Sequence, residues 1–227
     1  HRHELPKGHS VIEETVGQHS GWRTLATRGF ALTAVALDVA WPYLQSHLEL
    51  RHFDRPILLL TCLLAVLCLN DGDVPALGFR LAPVQGWGYW FRMGLWFMLP
   101  IAVLILICAT IWWWFGWTIP MIQTEPSFQA LYSFCVRAPV YEELIYRSLL
   151  FVAVAPSLGG LGTILMSGLV FASIHIIGGN PGPDNQIAGF MLAWAFLKSK
   201  TILVPIAMHS AGNLIALSVH IAGWYFG

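Results

Sequence analysis

Two acids and two bases stand on one otherwise apolar stretch of this chain. Between Tyr132 and Arg147 lie Arg137, Glu142, Glu143 and Arg147, among Phe134, Val136, Val140, Leu144 and Ile145. Glu143 and Arg147 are four residues apart with the acid first, the favourable order for a helical ion pair. Glu142 is turned by about 100° from Glu143 on a helix and has no partner at helical spacing. A carboxylate without an ion-pair partner is suited to act as a general base if it faces an imidazole. The imidazoles at hand are His175, at the end of an apolar segment, and His209, four residues before Asn213 and on the same helical face. Each has a bland reading beside the chemical one: the charges as a structural ion pair locking a helix bundle, the histidines as satisfied bundle residues. Two histidines, an i+4 Asn and an unpaired Glu on three segments favour a shared site.

The elements that must position these residues follow from composition. Of 227 residues, 56% are apolar and 11% charged, where soluble domains run near 25% charged. The mean hydropathy is +0.64. Charge this sparse excludes a soluble globular domain, and apolarity this high excludes a disordered chain. The 12 basic and 12 acidic residues cancel, so no net field recruits nucleic acid. The expected architecture is an all-α, polytopic transmembrane helix bundle of about seven spans, with six to eight compatible. Residues 1–23 read as a polar tail with irregularly spaced histidines, and 24–227 as one membrane domain. The expected spans are 27–46, 56–70, 93–117, 127–154, 161–177, 185–197 and 201–225, the third ending in the aromatic anchor Trp112, Trp113, Trp114 and Trp117.

Basic residues set the orientation. With the N-terminus inside, Arg2, Lys7, Arg23, Arg28, Arg80, Arg92, Lys198 and Lys200 face the cytoplasm, and Arg51 and Arg55 face out. Measured from the inner helix ends at about 1.5 Å per residue, Glu142, His175, His209 and Asn213 fall about 18, 21, 12 and 18 Å deep. All four therefore reach the middle of the membrane, where a charged side chain costs about 2.5–3.5 kcal/mol.

Taken in order, Glu142-Glu143-x-x-x-Arg147, Phe171-x-x-x-His175 and His209-x-x-x-Asn213 resemble the three signature motifs of the CAAX protease and bacteriocin-processing (CPBP) family of intramembrane endopeptidases, which includes the type II CAAX prenyl proteases. The motifs span 142–213; the first half of the chain resembles the family only as generic membrane helix. The resemblance implies that Glu142 and His175 activate a water, that His209 and Asn213 stabilise the oxyanion, and that Glu143 and Arg147 support them. The chemistry agrees, since amide hydrolysis needs a base for water and donors for the developing negative oxygen. It implies a membrane-anchored or lipidated protein substrate and, for location, a bacterial or archaeal cytoplasmic membrane. No cofactor is expected. A zinc-dependent reading stays open, with Glu142, His175 and His209 as ligands around an open position, although no His-Glu-x-x-His helix is present and Asn213 is a poor zinc ligand.

Other residues are set aside. Asp38, mid-span in the first helix, is by default a functional hypothesis; the alternatives are pairing with an Arg, such as Arg137, or a place in an interfacial helix. Pro100 and Pro139 are expected to kink their helices, and Pro139 to widen the cavity near Glu142. Cys62, Cys68, Cys108 and Cys135 read as buried small hydrophobes. The 178–184 loop reads as a lid or entrance. A rival from another class is a non-catalytic membrane chaperone or transporter that uses the same polar cluster for binding; retention of both Glu142 and His175 favours the enzyme. The substrate options are a prenylated C-terminus, a leader peptide or a C-terminal anchor.

Overall fold

Long uninterrupted apolar runs with few β-breaking turns fold here as helices, and no strand occurs among the described residues of the computed structural model, which are 21–47, 55–116 and 123–226. In chain order they form α1 (Gly21–His47), α2 (Arg55–Leu69), a 3₁₀ turn (Pro75–Leu77) and α3 (Trp87–Trp114). A continuous helical run follows, made of α4 (Phe128–Tyr132), a π turn π1 (Ser133–Arg137), α5 (Ala138–Glu143), a second π turn π2 (Leu144–Leu149) and α6 (Leu150–Ile177). The chain ends with α7 (Pro183–Ser199) and α8 (Leu203–Phe226).

Among the described residues three stretches are long and apolar enough to cross a membrane: Trp87–Trp114, Phe128–Ile177 and Leu203–Tyr225. The expectation of seven spans is therefore met only in its coarser form, an all-helical membrane protein. The other elements fall short for physical reasons. α1 contains Arg23, Arg28 and Asp38, α2 has only 15 residues, and α7 has 17, including Asp184 and Lys198. The N-terminal tail lies outside the described residues up to residue 20, and residues 21–23 already belong to α1. Trp117 of the expected anchor and Arg51 of the outer loop also lie outside them; Trp113 and Trp114 are exposed. On α3 only Trp90 is buried, while Phe91, Trp96 and Leu106 are about two-thirds exposed or more (71%, 68%, 67%). An apolar face of that extent is matched by lipid rather than water.

The expected fourth and fifth spans follow one another without an intervening loop but break at Gly159, whose φ of 65° and ψ of −177° no side-chain-bearing residue adopts easily. There the run folds back on itself. Ser167 donates to the carbonyl of Tyr146 at 2.8 Å, and the rings of Tyr146 and Phe171 meet edge to face. α6 then lies antiparallel to π2 and α5, which carries His175 back to the level of Glu142. The core is built on this hairpin. Ala31, Leu63, Val66, Leu77, Leu149 and Phe171 bury α1 and α2 against it, while Phe151, Ala193, Phe196 and Ile202 seal α7 to it.

Polar contacts fix the ends. Arg28 donates to the carbonyl of Ala153 at 2.9 Å and to the hydroxyl of Ser157 at 2.5 Å, tying α1 to α6. The loop after α2 binds the α7–α8 turn through Ile202 N–H to Gly78 O at 2.8 Å and Thr201 hydroxyl to Arg80 O at 2.5 Å. The four cysteines are free thiols. Cys62 is buried and Cys68 exposed, so the expectation of uniform burial holds only in part. The polar atoms of a free thiol bind weakly, so an apolar environment on either side, core or lipid, accommodates it.

Candidate active site

Pro139 has no N–H to give to the helix, and its ring would crowd the preceding turn. The chain absorbs this by widening just before it: Ala138 N–H reaches back five residues to Ser133 O, closing π1. The expected kink at Pro139 is thus a π turn. The second turn, π2, follows at once, with Leu150 N–H bonded to Ile145 O. Such turns recur at functional sites because they leave carbonyls open to other partners. In π2 the Tyr146 carbonyl takes the Ser167 hydroxyl, and in π1 the Phe134 carbonyl takes the Asn213 amide at 2.7 Å.

Between the two π turns, α5 presents Glu142 and Glu143. Glu143 is fully buried. Its Oε1 lies 2.8 Å from Nδ1 of His209, and its Oε2 lies 3.0 Å from Nε of Arg147, itself fully buried. The expected i,i+4 pair therefore forms, as an ion pair whose angle is not that of a hydrogen bond. Arg147 also donates through Nη2 to Gly189 O at 3.1 Å and lays its guanidinium over the Phe171 ring, 4.6 Å from the centroid. A desolvated cation–π contact of this kind contributes about 2 kcal/mol, which offsets part of the desolvation of Arg147.

Glu142 is placed differently. Its Oε2 stands 4.0 Å from Nε2 of His175 and 3.9 Å from Nε2 of His209, with no hydrogen-bond partner among the described residues. Both imidazoles are held from behind. His175 Nδ1 bonds Phe171 O at 2.9 Å, and because a carbonyl only accepts, that nitrogen bears the proton. In the neutral ring, Nε2 of His175 then offers a lone pair toward Glu142. His209 Nδ1 lies 2.8 Å from the Glu143 carboxylate, and because a carboxylate only accepts, Nδ1 is the donor. Phe171 unites the group: its ring touches His175, His209, Tyr146 and Arg147.

A helix cap steadies His175. Gly179 takes φ 80°, and the N–H of Asn180 bonds the carbonyl of His175 at 2.8 Å while Gly179 N–H bonds that of Ile176 at 3.1 Å. This is the 6→1 and 5→2 pairing of a Schellman end. The segment expected to be a lid starts as the C-terminal cap of α6.

The structure thus brings together Glu142, Glu143, Arg147, His175 and His209. Asn213, one turn beyond His209 on α8, already gives one amide hydrogen to Phe134 O and keeps a second. Of the alternatives for Asp38, the pairing with Arg137 does not form. It accepts hydroxyls from Tyr141, at 2.6 Å, and from Tyr146, while Arg137 lines a separate cavity with Ser133, Tyr141 and Glu142. The reason is rotational: Asp38 faces the side of the catalytic run that carries the two tyrosines. Sequence reading had no signal for this, nor for the central place of Phe171 beyond its presence in a motif.

An apolar cavity of about 290 Å³ adjoins the cluster, between α3, α7 and α8; Met98, Ile101, Met191, Met208, His209 and Asn213 are among its walls. Among the described residues no group of three or more His, Cys, Asp or Glu is arranged to hold a metal ion. The expected zinc set has its Oε2–Nε2 separations at 3.9 and 4.0 Å, wider than the roughly 3.3 Å edge of a tetrahedral zinc site with bonds near 2.05 Å. As placed, these donors do not close around zinc.

The geometry agrees with what comparison finds. Residues 123–215 match the family described as Type II CAAX prenyl endopeptidase Rce1-like. The match supports the CAAX protease family for this segment. No curated protein and no solved structure matches the chain. The matched segment runs from just before α4 into α8 and contains all three motifs, whereas α1, α2 and α3 lie outside it. The family is one of intramembrane endopeptidases, and the three apolar spans fit an integral membrane protein.

Proposed function

We propose that this protein hydrolyses a peptide bond in a prenylated or otherwise membrane-anchored protein, without a metal, using one water held by Glu142. The observation that carries the reading is the gap at Glu142: an unbonded carboxylate oxygen 4.0 and 3.9 Å from two imidazole nitrogens. A water bonded at about 2.8 Å to each neighbour fits such spacings.

The steps follow from the protonation pattern. The lone pair on His175 Nε2 orients the water, and Glu142 takes its proton. The hydroxide oxygen attacks the substrate carbonyl carbon, and the carbonyl electrons move to oxygen. The mechanism takes His209 with a proton on each ring nitrogen: Nδ1–H stays on Glu143, while Nε2–H and the second amide hydrogen of Asn213 receive that oxyanion. Collapse of the intermediate breaks the C–N bond, and Glu142 returns the proton to the leaving amine. Arg147 has no part in proton transfer; it neutralises Glu143 and keeps it in place.

The apolar cavity beside His209 and Asn213 is of a size and character to receive the apolar part of the substrate, a prenyl chain or hydrophobic side chains. A bacterial or archaeal cytoplasmic membrane is the proposed setting. The test is hydrolysis of an internally quenched peptide ending in an S-farnesylated C-a-a-X sequence by the purified protein in lipid nanodiscs. Release of the last three residues, lost in Glu142→Gln, is the expected result. An intact peptide with the parent protein overturns the reading.

A further inference from the structure

The hydrolytic machinery proposed above lies wholly within the family-matched segment, yet one buried acid reaches it from outside. Asp38 is on α1 and is 5% exposed. Its two oxygens take the hydroxyls of Tyr141 and Tyr146. These tyrosines bracket the catalytic pair: Tyr141 immediately precedes Glu142, and Tyr146 immediately precedes Arg147.

On a regular α-helix two residues five apart point about 140° away from one another and would not share one carboxylate. π2 begins at Leu144, between them, and its i→i−5 bonding brings such residues toward one face. The shared acceptor and the wide turn therefore depend on each other. The two hydroxyl contacts to Asp38 help hold the turn at its present rotation, and the Glu142 carboxylate rides on that rotation. Asp38 and Tyr146 also form, with Glu142, His175 and Asn180, the wall of a cavity of about 240 Å³. Glu142 lines this cavity and not the apolar one, which His209 and Asn213 line.

We propose that Asp38 is a positioning residue for hydrolysis: through Tyr141 and Tyr146 it fixes the rotation of the π turn that aims Glu142, and it walls the cavity that Glu142 lines. The inference rests on Glu142 as the base.

The test compares kcat and KM for the farnesylated peptide in Asp38→Asn, in the Tyr141→Phe/Tyr146→Phe double variant, and in all three changes together, with thermal unfolding followed in the same nanodiscs. Misaiming a reacting group by about 1 Å costs on the order of 100-fold, so kcat should fall about 10- to 100-fold in the first two proteins, with KM within about threefold. Because Asp38 acts through the tyrosines, adding Asp38→Asn to the double variant should cost less than about threefold more. A purely structural clamp would lower the unfolding temperature without this split or this non-additivity. The proposal is overturned if Asp38→Asn keeps kcat within about twofold of the parent, or if the two losses multiply in full. Should Asp38→Asn fail to fold, the double Phe variant, which keeps both rings, decides alone: parental kcat in it overturns the proposal. Glu142→Gln is run alongside. If it is active, the hydrolysis reading fails and this inference with it; if it is inactive beside a fully active Asp38→Asn, only this inference fails.

Discussion

Glu142 and Glu143 grip one imidazole from opposite sides: Glu143 Oε1 is 2.8 Å from Nδ1 of His209, and Glu142 Oε2 is 3.9 Å from Nε2 of the same ring. Consecutive residues on a helix diverge by about 100°, so a long planar ring lying across α5 can meet both. The near contact fixes the ring. The far one leaves room for a reactant. Two chemically identical side chains thereby have unequal duties, and substitution separates them.

Glu142→Gln keeps the size of the side chain and, since Oε2 has no hydrogen-bond partner among the described residues, removes no bond from the fold. We expect an unfolding temperature close to that of the parent and a fall in kcat of at least about 100- to 10,000-fold, the range for loss of a general base. Peptide cleavage and thermal unfolding of the same preparation check both halves. Retained turnover would assign the base elsewhere.

Glu143 should behave in the opposite way. Glu143→Gln strips a fully buried Arg147 of its counter-charge, and removing one partner of a buried pair costs about 3–5 kcal/mol. Replacing the pair together, as Glu143→Leu with Arg147→Met, should recover most of that stability while leaving the enzyme slow, because His209 Nδ1 loses its carboxylate. Denaturation curves beside kcat for the single and paired variants provide the measurement. An active, stable Leu/Met variant would show that Glu143 has no role beyond neutralising Arg147.

Much of this was legible in the sequence because charge is expensive in a membrane. Glu142, Glu143, Arg147, His175 and His209 stand out against apolar neighbours, and the helices that carry them read directly from hydropathy. Helical phase was less legible. Spacing rules assume 3.6 residues per turn, and the two π turns around Pro139 and Tyr146 break that assumption, so the pairing of Asp38 with Tyr141 and Tyr146 in place of Arg137 had no sequence signature. The number of spans is less legible for a related reason: α1, α2 and α7 are helical where expected, but their charges or lengths do not by themselves mark them as membrane crossings.

Gly159 offers a test of the hairpin that delivers His175. Its φ of 65° and ψ of −177° belong to a region open almost only to glycine, and a side chain there costs about 1–3 kcal/mol. A Cβ at this position would meet nothing within 4 Å, so the penalty in Gly159→Ala is one of backbone alone. We expect a lower unfolding temperature, with kcat in the surviving folded fraction near that of the parent. A large loss of kcat with unchanged stability would mean that the α6 register shifts instead of the bend being strained.

Metal removal tests the remaining chemical choice. Nδ1 of His175 and of His209 are both engaged, by Phe171 O and by Glu143, and such backing is also what metal-binding imidazoles have. Backing alone therefore does not separate the two mechanisms; separation of the donors does. Their Oε2–Nε2 distances of 3.9 and 4.0 Å suit a bridging water and exceed a zinc-bound edge of roughly 3.3 Å. We expect protein purified without chelator to hold far less than one zinc per chain, and treatment with a strong chelator such as 1,10-phenanthroline to leave kcat within about twofold, since the base and the oxyanion donors are all side chains. Zinc should not rescue Glu142→Gln. If instead active protein contains one tightly bound zinc and loses turnover with it, then Glu142, His175 and His209 must draw together around the ion, and Glu142 is a ligand rather than the base.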